Sequence, residues 1–188
     1  MRHIFIDTEF TDVMNPRLIS IGLITAGGEQ LYVALEINDW GGANACTEFV
    51  QEEVLPKLVE LNPVVLSRKA AGQHIHDWLQ REFSRRQRNF YDSGQQEINV
   101  ETMSPTLQIE CISDAVIDAT LLKELLPSVP SWLTFSLVQN KLHGGPLAQL
   151  FAGIDEHFRQ QPEQRHHALH DARALRAAWM QVQQRRFL

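Results

Sequence analysis

Four carboxylates and one histidine are spaced along this chain in an order that could build a metal-dependent site. Each lies beside a segment with the pattern of a strand or a helix, so a single fold could bring them together. Mg²⁺ and Mn²⁺ prefer carboxylate oxygens, and a neutral histidine can accept a proton from water. The set predicts a two-metal phosphodiester hydrolase. Its members, in chain order, are Asp7, Glu9, Asp118, His166 and Asp171.

Asp7 and Glu9 lie two residues apart at the end of an apolar run. Residues two apart in a strand point to the same face, so both carboxylates project together and Thr8 points the other way. Two carboxylates on one face repel each other and are costly to desolvate unless a cation neutralises them. The pair alone is weak support, since acid pairs also occur at strand ends that face water.

The middle of the chain offers two candidate ligands. Asp114 ends a predicted strand and could cap the following helix, whereas Asp118 lies in the first turn of that helix. From there Asp118 could point over the strand ends, where open α/β sheets usually bind their ligands. Its alternative role is a favourable charge near a helix N-terminus, worth about 0.3–1 kcal/mol. We favour Asp118 as the metal ligand and keep Asp114 as the alternative.

The last candidates lie around the start of the final predicted helix. His166 is expected just outside the helix and Asp171 in its first turns, so His166 could overhang a metal held by Asp171. The ordinary histidine pKa of about 6.5 suits a base that takes a proton from water. A zinc site built on His166 and His170 is the alternative, although the segment holds no cysteine to complete it. His167 and His170 are expected at the surface.

Composition is that of an ordinary globular protein. The 188 residues suffice for a single domain, 1–188, and the content is 44% hydrophobic and 21% charged. No apolar run is long enough for a membrane span, and no signal peptide is evident at the start. Cys46 and Cys111 match no zinc or redox spacing, so both thiols are expected to be free. We expect a cytoplasmic protein.

The net charge of −6 argues against a general nucleic-acid binder, which is usually basic. It does not exclude a nuclease, because divalent cations would offset the clustered acids. Several basic groups could contact a phosphate backbone, or simply solubilise helix surfaces. They are Arg68, Lys69, Arg85, Arg86, Arg88, Arg185 and Arg186.

Hydrophobic patterning predicts three strands followed by alternating helices and strands. The strands are expected at 3–10, 17–25, 30–35, 107–113 and 132–138, and the helices at 46–58, 67–88, 116–126, 146–160 and 168–185. Pro56 should kink or shorten the first helix. A turn at 26–28 favours an antiparallel meander of the first three strands. The pattern predicts an α/β sandwich, a mixed sheet flanked by helices.

With these residues placed, the chain resembles the DEDD superfamily of 3′–5′ exonucleases, which have an RNase H-like fold. The motifs are DTEF at 7–10, the region of Asp118, and His166-x4-Asp171. A histidine in the third motif resembles the DEDDh subgroup, which includes RNase T and oligoribonuclease. More narrowly, residues 5–12 (FIDTEFTD), 18–22 (LISIG) and 54–58 (VLPKL) look like a small bacterial family of single-domain exoribonucleases. The superfamily often has Asn where Asp114 stands.

The resemblance implies a two-metal mechanism. Two Mg²⁺ or Mn²⁺ ions would be held by the four carboxylates, with His166 as general base. The substrate would be the 3′ end of a single-stranded RNA, released as nucleoside 5′-monophosphates. Relatives alone suggest a homodimer. The implied metal ligands are Asp7, Glu9, Asp118 and Asp171, and the implied terminal-nucleotide pocket is Thr8, Glu9 and Phe10.

Phe10 could stack on a base or sugar, or it could equally be a core aromatic. Two other functions stay open. One is a DNA exonuclease with the same chemistry and a pocket tolerant of a missing 2′-OH. The other is a non-catalytic module that keeps the fold and binds nucleic acid or a partner. The presence of all five motif residues argues against this last hypothesis.

Overall fold

One mixed sheet of six strands organises the protein. The computed structural model describes residues 2–92 and 108–185. The strands are β1 Arg2–Phe10, β2 Leu18–Thr25, β3 Gln30–Leu35, β4 Val64–Leu66, β5 Ile109–Ser113 and β6 Leu133–Leu137. The sheet order is β4-β3-β2-β1-β5-β6, with β1, β2 and β3 antiparallel and the β3–β4, β1–β5 and β5–β6 pairs parallel. The predicted α/β class and the antiparallel meander are confirmed.

Helices cover both faces of this sheet. Four of the five predicted helices are confirmed with small shifts at their ends. In the described ranges no helix is long and apolar enough to cross a lipid bilayer. Both cysteines are free, as expected. The helices are α1 Ile37–Trp40, α2 Arg68–Asp92, α3 Val116–Leu125, α4 Val138–Lys141, α5 Gly145–Gln160 and α6 Ala168–Arg185.

The side chains of β1 point alternately to the two faces of the sheet, and this determines which helices its acidic residues face. Ile4 and Ile6 belong to the buried cluster that includes side chains of α2 and α3. Phe5 belongs to the cluster formed with α5 and α6. Because strand side chains alternate between faces, the odd-numbered acids at positions 7 and 9 project towards the α6 side and Thr8 towards the α3 side.

The helix predicted at 46–58 is replaced by irregular turns. A π-helical turn, Val50–Val54, leads into a 3₁₀ turn, Leu55–Lys57. Pro56 accounts for this, because proline lacks an N–H donor and its ring clashes with the carbonyl four residues earlier. Leu61 and Asn62 then adopt positive φ angles of 59° and 49°. They turn the chain into β4, a three-residue strand that the pattern did not predict.

Gly22 allows α6 to approach the sheet closely. It lies opposite Asp7 in the β1–β2 register. A Cβ on Gly22 would lie only 2.5 Å from the backbone of Ala168 and Leu169. Any larger residue would therefore push away the first turn of α6, which carries Asp171.

Candidate metal centre

Asp7 is shared by two groups of carboxylates. In one group, oxygens of Asp7, Asp114 and Asp118 lie within 4.8 Å of one another. In the other, oxygens of Asp7, Glu9 and Asp171 lie within 4.8 Å of one another. The fold thus brings the four predicted ligands together and adds Asp114. Each group could hold a divalent cation.

Asp118 is buried and only half satisfied by the protein. Its side chain reaches β1 from the first turn of α3, and the residue is 2% exposed. Oδ1 accepts hydrogen bonds from the backbone N–H of Thr8 at 3.1 Å and from the Thr8 hydroxyl at 2.6 Å. Oδ2 has no hydrogen-bond partner among the described residues. A buried carboxylate oxygen without a donor is costly, and a cation between Asp118 and Asp7 would satisfy it.

Asp114 is a member of the site rather than a helix cap. The N-cap of α3 is Ala115, so the expected capping role of Asp114 is wrong. Asp114 lines the open cleft together with Asp7, whereas the buried Asp118 is not among the residues that line it. Oxygens of both carboxylates lie within 4.8 Å of an Asp7 oxygen, so both could reach one ion, and the choice of Asp118 as the ligand stays a prediction.

The start of α6 holds Asp171 in place. Asp171 lies in the first turn of that helix, as predicted. Its Oδ2 accepts the backbone N–H of His167 at 3.0 Å. One oxygen is therefore anchored to the helix N-terminus, where a negative charge is favourable. The side chain lines the same cleft as Asp7.

Crowding and burial raise the pKa values of these carboxyl groups. Burial raises the pKa of Glu9 to about 8, nearby Asp171 and Asp118 add to the rise, and Lys57 opposes it. Burial is also the main cause that raises the pKa of Asp118 to about 7 and that of Asp171 to about 7. The pKa of Asp7 is well above its ordinary value, owing to burial and then its acidic neighbours. Without a cation these groups retain protons near neutrality, and a divalent cation would take the place of those protons.

His166 lies at the cleft just before α6, as predicted. Its backbone adopts a left-handed conformation with φ of 63°. Its ring meets that of Phe49 edge-to-face, with centroids 4.9 Å apart. Burial lowers the pKa of His166, and the charges of Lys57 and Arg165 lower it further. The ring is therefore neutral at pH 7 and able to accept a proton.

The open cleft that holds these residues has a volume of about 240 Å³. Carboxylates, apolar side chains of α5 and α6, and the side chains of Arg165 and His166 together line it. The cleft therefore combines charged groups with apolar surface. The lining residues are Asp7, Thr8, Glu9, Asp114, Ile154, Phe158, Arg165, His166, Asp171 and Leu175.

Among the described residues, the cations at the site are two that were not predicted to contact phosphate. Arg165 lines the cleft, and Lys57 acts electrostatically on Glu9 and His166. Arg68 and Arg85 instead pair with surface or buried glutamates elsewhere. Single cations carry no clustering signal, which is why they were missed. The side chains of Arg86 and Arg88, and all of Arg186, lie outside the described residues.

A second cavity, of about 190 Å³, adjoins Glu9 and is mainly apolar. Phe10 lines it and also packs against the core, so both expected roles of Phe10 fit its position. The β1–β2 register shifts between Glu9 and Phe10. Such irregularities redirect side chains beside functional sites. Contact of Thr8, Glu9 and Phe10 with substrate stays a prediction. The other lining residues are Asp12, Val13, Thr47, Phe49, Val50 and Val54.

The expectation that His167 and His170 lie at the surface is wrong. They are 1% and 7% exposed. The Nδ1 of His167 accepts the backbone N–H of His170 at 3.4 Å, so Nε2 carries the proton and donates to the Glu60 carbonyl at 3.4 Å. Tyr32 packs on the His167 ring. Within the described ranges neither potential metal-binding group contains a histidine, so the zinc alternative gains no support.

A scan against models of known protein families finds no match, and a search among curated proteins finds no similar one. The arrangement of the side chains therefore carries the functional inference. Its central feature is Asp7, which belongs to both sets of clustered acids. The neutral ring of His166 lies in the same cleft.

Proposed function

We propose that this protein is a metal-dependent 3′–5′ exonuclease that hydrolyses the ends of single-stranded RNA. The observation that carries the proposal is the position of Asp7, shared by two groups of acids. Enzymes that cleave phosphodiesters with two metal ions need ligands common to both ions. A mixed sheet with helices on both faces is consistent with the RNase H-like fold that the motifs imply.

The carboxylates have the composition and burial to hold two divalent cations. One cation would be held by Asp7, Asp114 and Asp118, and the other by Asp7, Glu9 and Asp171. When bound, such cations lower the pKa of water and stabilise the leaving oxygen. The unpartnered Oδ2 of Asp118 supports this assignment. Mg²⁺ and Mn²⁺ are the expected ions, because all the ligand atoms are carboxylate oxygens.

His166 would act as the general base. A water molecule attacks the phosphorus of the terminal linkage and transfers its proton to the neutral ring of His166. The new P–O bond forms as the bond to the 3′ oxygen of the penultimate nucleotide breaks. The phosphate stays on the terminal nucleotide, which leaves as a nucleoside 5′-monophosphate. The 3′ oxygen stays on the shortened strand and takes up a proton. The low pKa of His166 supports this role, because a protonated ring could not accept the proton.

The surroundings of the acids fit one terminal nucleotide. Arg165, at the edge of the cleft, would contact a phosphate group. Phe10, in the apolar cavity beside Glu9, would receive a base or sugar. A base can enter such a cavity only when it is unpaired, so a single-stranded end is the expected substrate.

The test is digestion of a 5′-labelled single-stranded RNA and the matching DNA, with Mg²⁺ or Mn²⁺ present. We expect a ladder that shortens from the 3′ end, mononucleotide products, and complete inhibition by a chelator. A His166→Ala variant should lose about 100-fold or more in rate, which is the usual contribution of a positioned base. His143→Ala is the matched control, because His143 is exposed and lies outside the cleft.

Faster digestion of the DNA than of the RNA would mean that the protein is a DNA exonuclease. Digestion of neither strand by well-folded protein with metal present would overturn it. In that case binding of the same strands without cleavage would favour the non-catalytic module.

A further inference from the structure

Residues 49–60, the irregular turns around Pro56, contact three consecutive residues before α6. The ring of Phe49 meets the ring of His166. The ammonium of Lys57 donates to the Arg165 carbonyl at 2.7 Å. The Glu60 carbonyl accepts from His167 at 3.4 Å. Residues 165–167 are therefore held from one side by a single segment of chain.

The Lys57 contact falls on the peptide group that orients His166. The Arg165 carbonyl belongs to the peptide bond before His166, and rotation of that peptide group sets the φ angle of His166. This angle is 63°, a left-handed conformation that is unfavourable for a residue other than glycine and persists only when neighbours impose it. A charge-assisted hydrogen bond to the carbonyl is a direct way to impose it.

The Lys57 side chain is mostly shielded from solvent and points towards the Arg165 carbonyl. Its side chain is 16% exposed, and its Nζ also lies 3.4 Å from Glu53. The sequence explains the placement: Pro56 forces the preceding turns out of α-helical geometry, and Lys57 ends the 3₁₀ turn that follows. In a regular helix through this segment, the side chain at position 57 would project in another direction.

We propose that Lys57 is a positioning residue that holds the His166 ring in the acidic cleft through its bond to the Arg165 carbonyl. This inference rests on the proposed function for its kinetic consequence, but the placement of the ring can be measured without activity. The alternative role for Lys57 is direct contact with a substrate phosphate. The two roles differ in what they do to kcat and KM.

The variants are Lys57→Met, which keeps the length without the donor, and Lys57→Arg, which keeps a charged donor. We expect Lys57→Met to lower kcat about 10- to 100-fold with little change in KM, because small misplacements of a catalytic group have effects of this size. Lys57→Arg should recover part of the loss. Lys123→Met is the matched control, since Lys123 is exposed and does not line the cleft.

A double-variant comparison separates positioning from other roles. If Lys57 acts through His166, Lys57→Met should cause no further loss in a His166→Ala background. In parallel, NMR signals of the His166 ring, assigned by their absence in His166→Ala, should lose the ring-current shift from Phe49 in Lys57→Met. Multiplicative losses in the double variant, a rise in KM alone, or an unmoved His166 signal would overturn the inference. Inactive wild-type protein would overturn the proposed function, while the NMR comparison would still decide the placement.

Discussion

Thr8 donates both its backbone N–H and its hydroxyl to a single oxygen of Asp118, 110 residues further along the chain. This pair joins β1 to α3 at the centre of the site. It fixes the Asp118 carboxylate in one orientation. The other oxygen, Oδ2, has no hydrogen-bond partner among the described residues. A residue of the first acidic motif therefore orients a candidate metal ligand in the second motif.

Replacing Thr8 by valine removes the hydroxyl and keeps both the backbone N–H and the side-chain shape. We expect about 10-fold weaker Mn²⁺ binding, because groups that orient a metal ligand typically contribute 10- to 100-fold to affinity. Isothermal titration calorimetry measures the affinity directly. Thr8→Ser should stay close to the wild type, since it keeps the hydroxyl.

Thr120→Val is the matched control for this change. The Thr120 hydroxyl is exposed and donates within α3 to the Val116 carbonyl. Equal affinities for Thr8→Val and Thr120→Val would mean that the Thr8 hydroxyl does not orient a metal ligand.

The parts of this site that could be predicted are those set by local periodicity. Alternation in an apolar strand is enough to place Asp7 and Glu9 on one face, and helical patterning is enough to place Asp118 and Asp171 in first turns. These four assignments needed only the order of elements along the chain. The same reasoning predicted the antiparallel meander, because a tight turn separates two strands of regular pattern.

The missed features depend on contacts between distant segments. β4 has three residues, too few for a recognisable pattern, and its backbone pairs with the distant β3. His170 is polar and has the pattern of a surface residue, yet it is buried in the first turn of α6. Lys57 has no motif around it, and its contact with the Arg165 carbonyl exists because Pro56 breaks a helix. Hydrophobic patterning indicates which faces of an element are buried, so it cannot reveal specific polar contacts between distant segments.

Gly22→Ala should displace the start of α6. The added Cβ would meet backbone atoms of Ala168 and Leu169, which cannot move as a flexible side chain could. Overpacking of this kind costs about 1–3 kcal/mol of stability, measured by denaturant unfolding. We also expect loss of metal binding that involves Asp171, because that residue moves with the helix.

The control for Gly22 is Gly145→Ala at the start of α5, where a Cβ would meet nothing within 4 Å. This variant should bind metal as the wild type does, because the added Cβ lies away from the first turn of α6. If Gly22→Ala matched it in both stability and metal binding, the close approach of α6 would have no role in the site.

Stabilisation by Mg²⁺ should grow as pH rises from 5 to 8. The carboxyl groups of Glu9, Asp118 and Asp171 have pKa values raised to about 8, 7 and 7, so protons compete with the cation below these values. A raised carboxyl pKa also means that the metal-free folded state binds more protons than the unfolded state over this window. Its stability from these groups therefore falls as pH rises.

The measurement is the shift in melting temperature between Mg²⁺ and chelator at each pH. Taking the difference at one pH removes the opposite contribution of the buried histidines, whose lowered pKa values favour the folded state as pH rises. A metal-induced shift that stays constant between pH 5 and 8 would show that the raised carboxyl groups do not bind the cation.

Because Asp7 belongs to both groups of acids, its replacement should change the number of bound metal ions more than replacement of Asp114 or Asp118. Asp114→Asn or Asp118→Asn should weaken one site and leave the group of Asp7, Glu9 and Asp171 intact, so that two bound Mn²⁺ ions become one. Asp7→Asn should weaken both sites, because this residue belongs to both groups. Counting bound Mn²⁺ by electron paramagnetic resonance distinguishes these outcomes.

Stability of the metal-free protein supplies the control for Asp7→Asn. The carboxylates repel one another, and the pKa of Asp7 is raised by burial and by its acidic neighbours. An uncharged amide of nearly the same shape removes that repulsion, so the metal-free variant should be at least as stable as the wild type at pH 8. Loss of both ions from a stable variant identifies Asp7 as the bridging ligand. Retention of one ion by Asp7→Asn would instead show that the two groups bind independently.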